Sequence, residues 1–305
     1  LSGVDLTVKI GRLTLKNPVL VSSGTFGYGR EFADFFDINR LGGIITKAIT
    51  PQPRPGNPPP RTVETPAGLL NAIGLENCGL EAFVREKMPY LKTLDTAVIV
   101  NVAGASEQDY VDVVRRLAEE DGVDGFEINI SCPNVKEGGI EFGTRPEPAA
   151  ALVGKLRRET DKTLIVKLSP NVTDPCEIAE AAEGAGADAF SLVNTFRGMA
   201  INQETGRPVL GNRIGGLSGP AIKPLALYQV YRLSLKSTKS IIGMGGIFNT
   251  ADAMEFIYAG ADAISVGTAN LVRPTASLEI VEGLEAYCAA RGVGRIGDCV
   301  GRAHE

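Results

Sequence analysis

The chain has 305 residues, is 44% apolar and carries a formal net charge of −5. That is enough for one large domain, expected over residues 1–305, and it gives no basic footprint for nucleic acid or anionic lipid. No apolar run reaches membrane-span length, residues 1–11 lack a secretory pattern, and a single histidine (His304) with no CxxC pair argues against histidine triads and metal centres, so a metal-free cytoplasmic protein is expected.

In chain order, residues 8–15 read as a hairpin ahead of the main sheet, suited to plugging a barrel's bottom. Eight short apolar runs rich in β-branched residues follow, at 19–22, 43–46, 97–103, 125–131, 163–169, 189–195, 240–244 and 263–267. Between them lie amphipathic stretches such as 107–120, 148–160, 174–185, 221–236 and 250–259. Strand alternating with helix predicts a parallel sheet, and eight units in this length predict an α/β (β/α)8 TIM barrel, with a doubly wound sheet as the alternative. Three connections, 50–79, 132–146 and 196–219, are too long for plain turns. The first opens on a proline-rich run that also reads as a solvated linker. All three follow strands, which puts them on the face where barrels build active sites.

The most informative segment is Asn129-Ile130-Ser131-Cys132-Pro133-Asn134, followed by a glycine-rich stretch to Thr144. It reads as a strand end, a cysteine poised to meet a substrate, and a loop able to close over the site and exclude water. Side chains alternate along a strand, so Glu127, Asn129 and Ser131 share one face. Lys47, Asn101, Asn129, Lys167 and Asn194 put a Lys or Asn near the outer end of five different strands. One such residue is a frayed strand end; five together predict a shared polar site, because lysine is seldom buried unpartnered and barrel interiors are normally apolar. Gly243, Gly245, Gly246 and Gly267-Thr268, after the last two strands, predict a phosphate cradle where backbone N–H groups approach an anion. Cys176, Cys288 and Cys299 read as small buried hydrophobes.

These residues together resemble the class 1 dihydroorotate dehydrogenases, FMN enzymes of pyrimidine (UMP) synthesis, over nearly the whole chain. The most specific matches are Gly56-Asn57-Pro58-Pro59-Pro60-Arg61, Asn71-Ala72-Ile73-Gly74-Leu75, Ser131-Cys132-Pro133-Asn134-Val135, Asn194-Thr195 and Gly215-Gly216-Leu217-Ser218-Gly219-Pro220. The proline-rich segment and Gly198-Met199-Ala200-Ile201 look most like class 1B, which implies a homodimer core in a heterotetramer with an electron-transfer subunit carrying FAD and a 2Fe–2S cluster, and NAD+ as final acceptor. The resemblance implies one FMN per chain, Cys132 as the base removing the C5 proton of dihydroorotate, and hydride transfer from C6 to the flavin. An unperturbed thiol has a pKa of about 8.5, so such a base needs a tuned environment. Asn71, Asn129, Asn134, Asn194 and Thr195, with Ala72, Ile73, Gly74 and Leu75, would hold the substrate. Lys47 would touch both substrate and flavin, and Lys167 would lie by the flavin edge where negative charge develops. Ser23, Ala48, Asn101, Asn129, Val193 and Gly219 match further flavin contacts, and Gly245, Gly246, Gly267 and Thr268 match its phosphate cradle. Cys78 departs from the family pattern, where proline is expected; a core thiol is the favoured reading, with competition for labelling reagents near the site as the other.

Three other functions stay open on the residues alone. One is a class 1A enzyme that reduces fumarate. Another is a phosphate-binding barrel lyase or isomerase with a Schiff-base lysine. The third is a flavin-holding scaffold with a dispensable Cys132.

Overall fold

The computed structural model describes residues 3–131 and 142–305. Strands β1 (Val8–Ile10) and β2 (Leu13–Leu15) form the expected antiparallel hairpin. Val8, Ile10 and Leu15 join the main core. The turn between them meets the first residues of two barrel strands: Arg12 N donates to Thr163 Oγ1 at 3.1 Å and Gly11 N to Ser240 Oγ at 3.4 Å. The hairpin therefore closes the N-terminal end of the barrel.

The barrel begins with β3 (Val19–Val21) and β4 (Gly43–Ile45). The long connection after β4 holds a hairpin, β5 (Thr62–Thr65) and β6 (Gly68–Asn71), then a helical segment of α1 (Leu80–Ala82), a π turn (Phe83–Lys87) and α2 (Met88–Leu91). Next come β7 (Ala97–Val102), α3 (Glu107–Ala118), β8 (Gly125–Asn129), α4 (Pro146–Arg157), β9 (Thr163–Lys167), α5 (Pro175–Gly184) and β10 (Ala189–Leu192). The third long connection carries β11 (Phe196–Gly198), the pair β12 (Ile201–Asn202) and β13 (Arg207–Pro208), and β14 (Gly215–Ser218). The chain then runs through α6 (Lys223–Ser234), β15 (Ser240–Met244), α7 (Thr250–Tyr258), β16 (Ala263–Val266), α8 (Thr268–Val272) and α9 (Ala276–Ala290).

Strands β3, β4, β7, β8, β9, β10, β15 and β16 close into one barrel, each neighbour pair parallel. The (β/α)8 expectation holds, and the doubly wound alternative does not. Strands β8 and β9 are buried along their whole length, because side chains on one face fill the barrel and those on the other meet the helices. Helix starts follow local chemistry. Ser106 and Asp109 form a capping box on α3, Asp174 accepts from Cys176 N at 2.9 Å ahead of α5, and Asn249 caps α7. No helix among the described residues is long and apolar enough to cross a membrane.

The proline-rich connection is not a loose linker. Its hairpin β5–β6 joins β14 and β11 in a four-stranded antiparallel sheet, ordered β11-β14-β6-β5, with Gly216 opposite Asn71. Two connections far apart in sequence thus form one wall above the barrel. Gly68 makes the approach possible: a Cβ there would lie 2.1 Å from Ser218 O.

Candidate active site

A cavity of about 1010 Å3 opens at the C-terminal ends of the barrel strands, between them and the four-stranded wall. Lys47 follows β4, Asn129 ends β8, Lys167 ends β9, and Asn194-Thr195 follow β10; all five line it. Asn71, Ala72, Ile73, Gly74 and Leu75 enter from the wall, and Ser23, Ala48, Val193 and Gly219 complete the lower lining. Gly245, Gly246, Gly267 and Thr268 line the end beyond β15 and β16. Of the residues expected at the site, Cys132 and Asn134 lie outside the described residues, as do Gly138 and Gly139 of the expected lid.

Local bonds fix this lining. Ser131 Oγ donates to Asn129 Oδ1 at 2.8 Å, and Asn194 Nδ2 donates to Ser131 Oγ at 2.5 Å. The Asn194 Oδ1 in turn accepts from Thr195 N at 2.8 Å. Ser131 thereby links the ends of two strands that β9 separates. Tyr110 Oη donates to the Asn129 carbonyl at 2.8 Å, tying α3 to the same strand end. On the wall, Asn57 Nδ2 donates to Ala72 O at 3.0 Å, and Asn57 N to Ile73 O at 2.9 Å. Arg61 bonds both Asn57 O and the Glu76 carboxylate, each at 2.5 Å. These ties hold the 72–75 backbone in place, including Leu75 in a left-handed conformation at φ 58°, a geometry that costs energy unless its surroundings enforce it.

The glycine end has the form of an anion cradle. Gly245 and Gly246 have φ of 119° and 82°, and a Cβ on Gly246 would lie 2.7 Å from Lys223 Cβ and 2.9 Å from Gly219 O. Only bare backbone fits there. Thr268 Oγ1 donates to Ser218 Oγ at 2.8 Å, joining this end to the wall.

Asn101 stands apart from the other described site residues. It is fully buried behind the lining rather than on it. Its Nδ2 donates to Glu127 Oε2 and its Oδ1 has no partner. Glu127 is also fully buried, and it accepts from Ser191 Oγ at 2.8 Å and from Lys167 Nζ at 3.4 Å. Lys167 Nζ also lies 3.4 Å from Ser23 Oγ.

Ser131 and Glu127 were visible as face-mates of Asn129 through the two-residue strand period, yet the residue types alone gave them no role. Ser22, Thr25, Asn57, Thr62, Arg197 and Asn212 also line the cavity. Only the folded loops bring them there. Cys176, Cys288 and Cys299 are buried as expected. Cys78 is half-buried against the main core, with its Sγ 3.7 Å from Tyr28 Oη, in line with the core-thiol reading.

A family profile for dihydroorotate dehydrogenase matches residues 5–287. The chain is 54% identical over 297 residues to the dihydroorotate dehydrogenase B (NAD(+)) catalytic subunit of Pelobacter propionicus, covering 97% of this chain and 98% of that protein. It is 52% identical over 301 residues to the protein of the same name from Desulforamulus reducens, covering 99% of each. In structure it superposes on an Eimeria tenella dihydroorotate dehydrogenase crystallised with ferulenol, with TM-score 0.81 and 23% identity over 99% of this chain and 89% of that one.

Proposed function

The chain belongs to the dihydroorotate dehydrogenase family, and from that premise we propose that it oxidises dihydroorotate to orotate in pyrimidine synthesis, with FMN and substrate sharing the cavity described above. The observation that carries this reading is the meeting, in one cavity, of Lys47, Asn71, Asn129, Lys167, Asn194 and Thr195 with a side-chain-free glycine cradle.

The donor set fits FMN. Gly245, Gly246, Gly267 and Thr268 would hold its phosphate, with backbone N–H groups matched to an anion. Ser23, Lys47, Ala48, Asn129, Lys167, Val193 and Gly219 would contact the rest, and Asn101 would act from behind the lining. When bound, FMN supplies a hydride acceptor for C6 of dihydroorotate. The ammonium of Lys167 presents fixed positive charge to the cavity, where preorganised charge is most effective against developing negative charge.

Asn71, Asn129 and Asn194 offer amides that both donate and accept, which suits a flat, amide-rich ring. The linkage of Asn129 and Asn194 through Ser131 orients two of them in advance. Asn134, Thr195 and the backbone of residues 72–75 would complete the substrate contacts. Cys132 is assigned as the base that removes the C5 proton, and the glycine-rich segment after it as a lid.

Delivery of electrons to NAD+ is assigned to a second subunit carrying FAD and a 2Fe–2S cluster. The relatives' names, dihydroorotate dehydrogenase B (NAD(+)), catalytic subunit, support NAD+ and a second subunit; the FAD and 2Fe–2S cluster follow from the class 1B resemblance. Residues 1–305 would then act as one FMN-binding domain, in a homodimer core within a cytoplasmic heterotetramer.

The test is an anaerobic visible spectrum of the purified chain before and after dihydroorotate. A flavin spectrum that bleaches on addition supports the reading. A colourless protein that cannot be reconstituted with FMN overturns it in favour of a lyase or isomerase. Brisk turnover with fumarate and no partner subunit would remove the assignment to NAD+.

A further inference from the structure

Glu127 is an unusual residue for its place. It lies mid-strand in β8 and is fully buried in a barrel interior, where branched apolar side chains are the rule. A carboxylate survives there only if its oxygens are satisfied. Both are: Oε1 by Ser191 Oγ at 2.8 Å, and Oε2 by Asn101 Nδ2 and Lys167 Nζ.

The Asn101 amide shows how the group is oriented. Turning it over would point Oδ1 at the carboxylate, oxygen against oxygen. Its Oδ1 is instead left buried without a partner, a costly state. Three side chains from three different strands thus converge on one carboxylate.

Lys167 is the member that reaches the cavity. Lysine is a point charge on a flexible four-carbon stem, so its aim must come from its neighbours. Among the described residues, only Glu127 and Ser23 lie within hydrogen-bond reach of Nζ, each at 3.4 Å. Of these, only Glu127 carries charge and is itself fixed on both oxygens.

We propose that Glu127 is a positioning residue for the flavin site: held by Asn101 and Ser191, it fixes the Lys167 ammonium at the cavity floor, and Lys167 passes that order to the bound flavin. The proposal rests on the FMN reading above. It differs from a direct electrostatic role in sign. The Glu127 charge acting by itself repels negative charge in the cavity, so neutralising it would tighten FMN and favour the reduced flavin. Acting through Lys167, its loss does the opposite.

The experiment compares wild type, Glu127→Gln, Lys167→Ala and the double variant as full chains. FMN affinity is read by quenching of flavin fluorescence, and the flavin midpoint potential by dye-coupled reduction. In the wild-type background, Glu127→Gln is expected to weaken FMN about tenfold, which is about 1.4 kcal/mol, and to lower the midpoint potential. In the Lys167→Ala background the same change should alter affinity less than about twofold, since interaction through a shared partner is lost with that partner. An equal loss in both backgrounds would mean that Glu127 serves only packing. Tighter FMN or a raised potential in Glu127→Gln would mean direct electrostatics. Either result overturns the proposal. Should Glu127→Gln not fold, Glu127→Asp, which keeps the charge but draws it back by one methylene, is compared in the same two backgrounds with the same expectations. A wild-type chain that takes up no FMN would instead sink the FMN reading, a separate failure.

Discussion

Asn194 Nδ2 donates to Ser131 Oγ at 2.5 Å, and through that hydroxyl the loop after β10 is tied to the loop after β8. Ser131 passes the bond on to Asn129 Oδ1 at 2.8 Å. Ser131→Ala would leave both amides without this partner. Their loss of order should raise KM for dihydroorotate about tenfold, near 1.4 kcal/mol. Steady-state kinetics on the FMN-loaded chain checks this. An unchanged KM would remove Ser131 from substrate orientation.

Lys167→Ala should destabilise the chain as well as weaken FMN or slow its reduction. It leaves the Glu127 carboxylate buried without its counter-charge, and breaking a buried pair from one side costs roughly 3–5 kcal/mol. Lys167→Ala combined with Glu127→Gln should recover part of that stability, because neither charge then stays buried alone. Chemical denaturation of the four proteins measures it. Unchanged stability, FMN affinity and reduction rate in Lys167→Ala would place Lys167 outside the site.

Cys132→Ser should lose most activity near neutral pH and keep FMN. Serine is a much weaker base, and a positioned base contributes roughly 10²–10⁴-fold. Rapid-mixing measurement of flavin reduction by dihydroorotate separates the two effects. Reduction at the wild-type rate would refute the base assignment.

Gly246→Ala forces a side chain into a left-handed backbone position, and its Cβ would press on Gly219 O and Lys223 Cβ. A strained position of this kind costs about 1–3 kcal/mol. The same Cβ narrows the cradle. FMN affinity of the folded variant should therefore fall by at least about tenfold, on top of the stability lost by the FMN-free chain. Unchanged FMN affinity in the folded variant would argue against a phosphate site there.

Burial, with Asp174 beside it, pushes the Cys176 thiol up to about 11, above the ordinary thiol range. The sign follows from proton counting. Between about pH 9 and 11 the unfolded chain releases this proton and the folded chain keeps it, so folding stability falls as pH rises through that window. Cys176→Ala should lose less stability than wild type between pH 8.5 and 11, as urea midpoints at several pH values would show. Parallel profiles would mean that Cys176 contributes nothing to alkaline unfolding.

The barrel was largely legible because its strands carry their signal locally. The run 240–244 is β15 to the residue, and the others differ only at their outer ends. Ser131, Ser169 and Thr195 end three of the apolar runs but lie beyond the ladder, which stops at Asn129, Lys167 and Leu192; of the three, Thr195 lines the cavity. The helical segment 80–91 was not legible, since a π turn and Pro89 break its period. Helix α9 (Ala276–Ala290) was not singled out either. In the site, Lys47, Asn129, Lys167 and Asn194 betrayed themselves as polar residues at strand ends. The pairing of β6 with β14 did not, because it is set by glycines and close backbone approach, not by apolar alternation. The resemblance gave Asn101 a flavin contact; its bond to Glu127 could be seen only in three dimensions.

The wall over the cavity joins Asn71 to Gly216, residues separated by most of the barrel's sequence. Such a pairing closes a very long loop, and its chain-entropy cost is met only once the strands between are already in place. The barrel can therefore assemble from neighbouring strands first, with the wall registering afterwards. Ligand-binding capacity should appear late in folding, after the barrel that supports it, and a partly folded chain would carry a finished floor beneath an open roof.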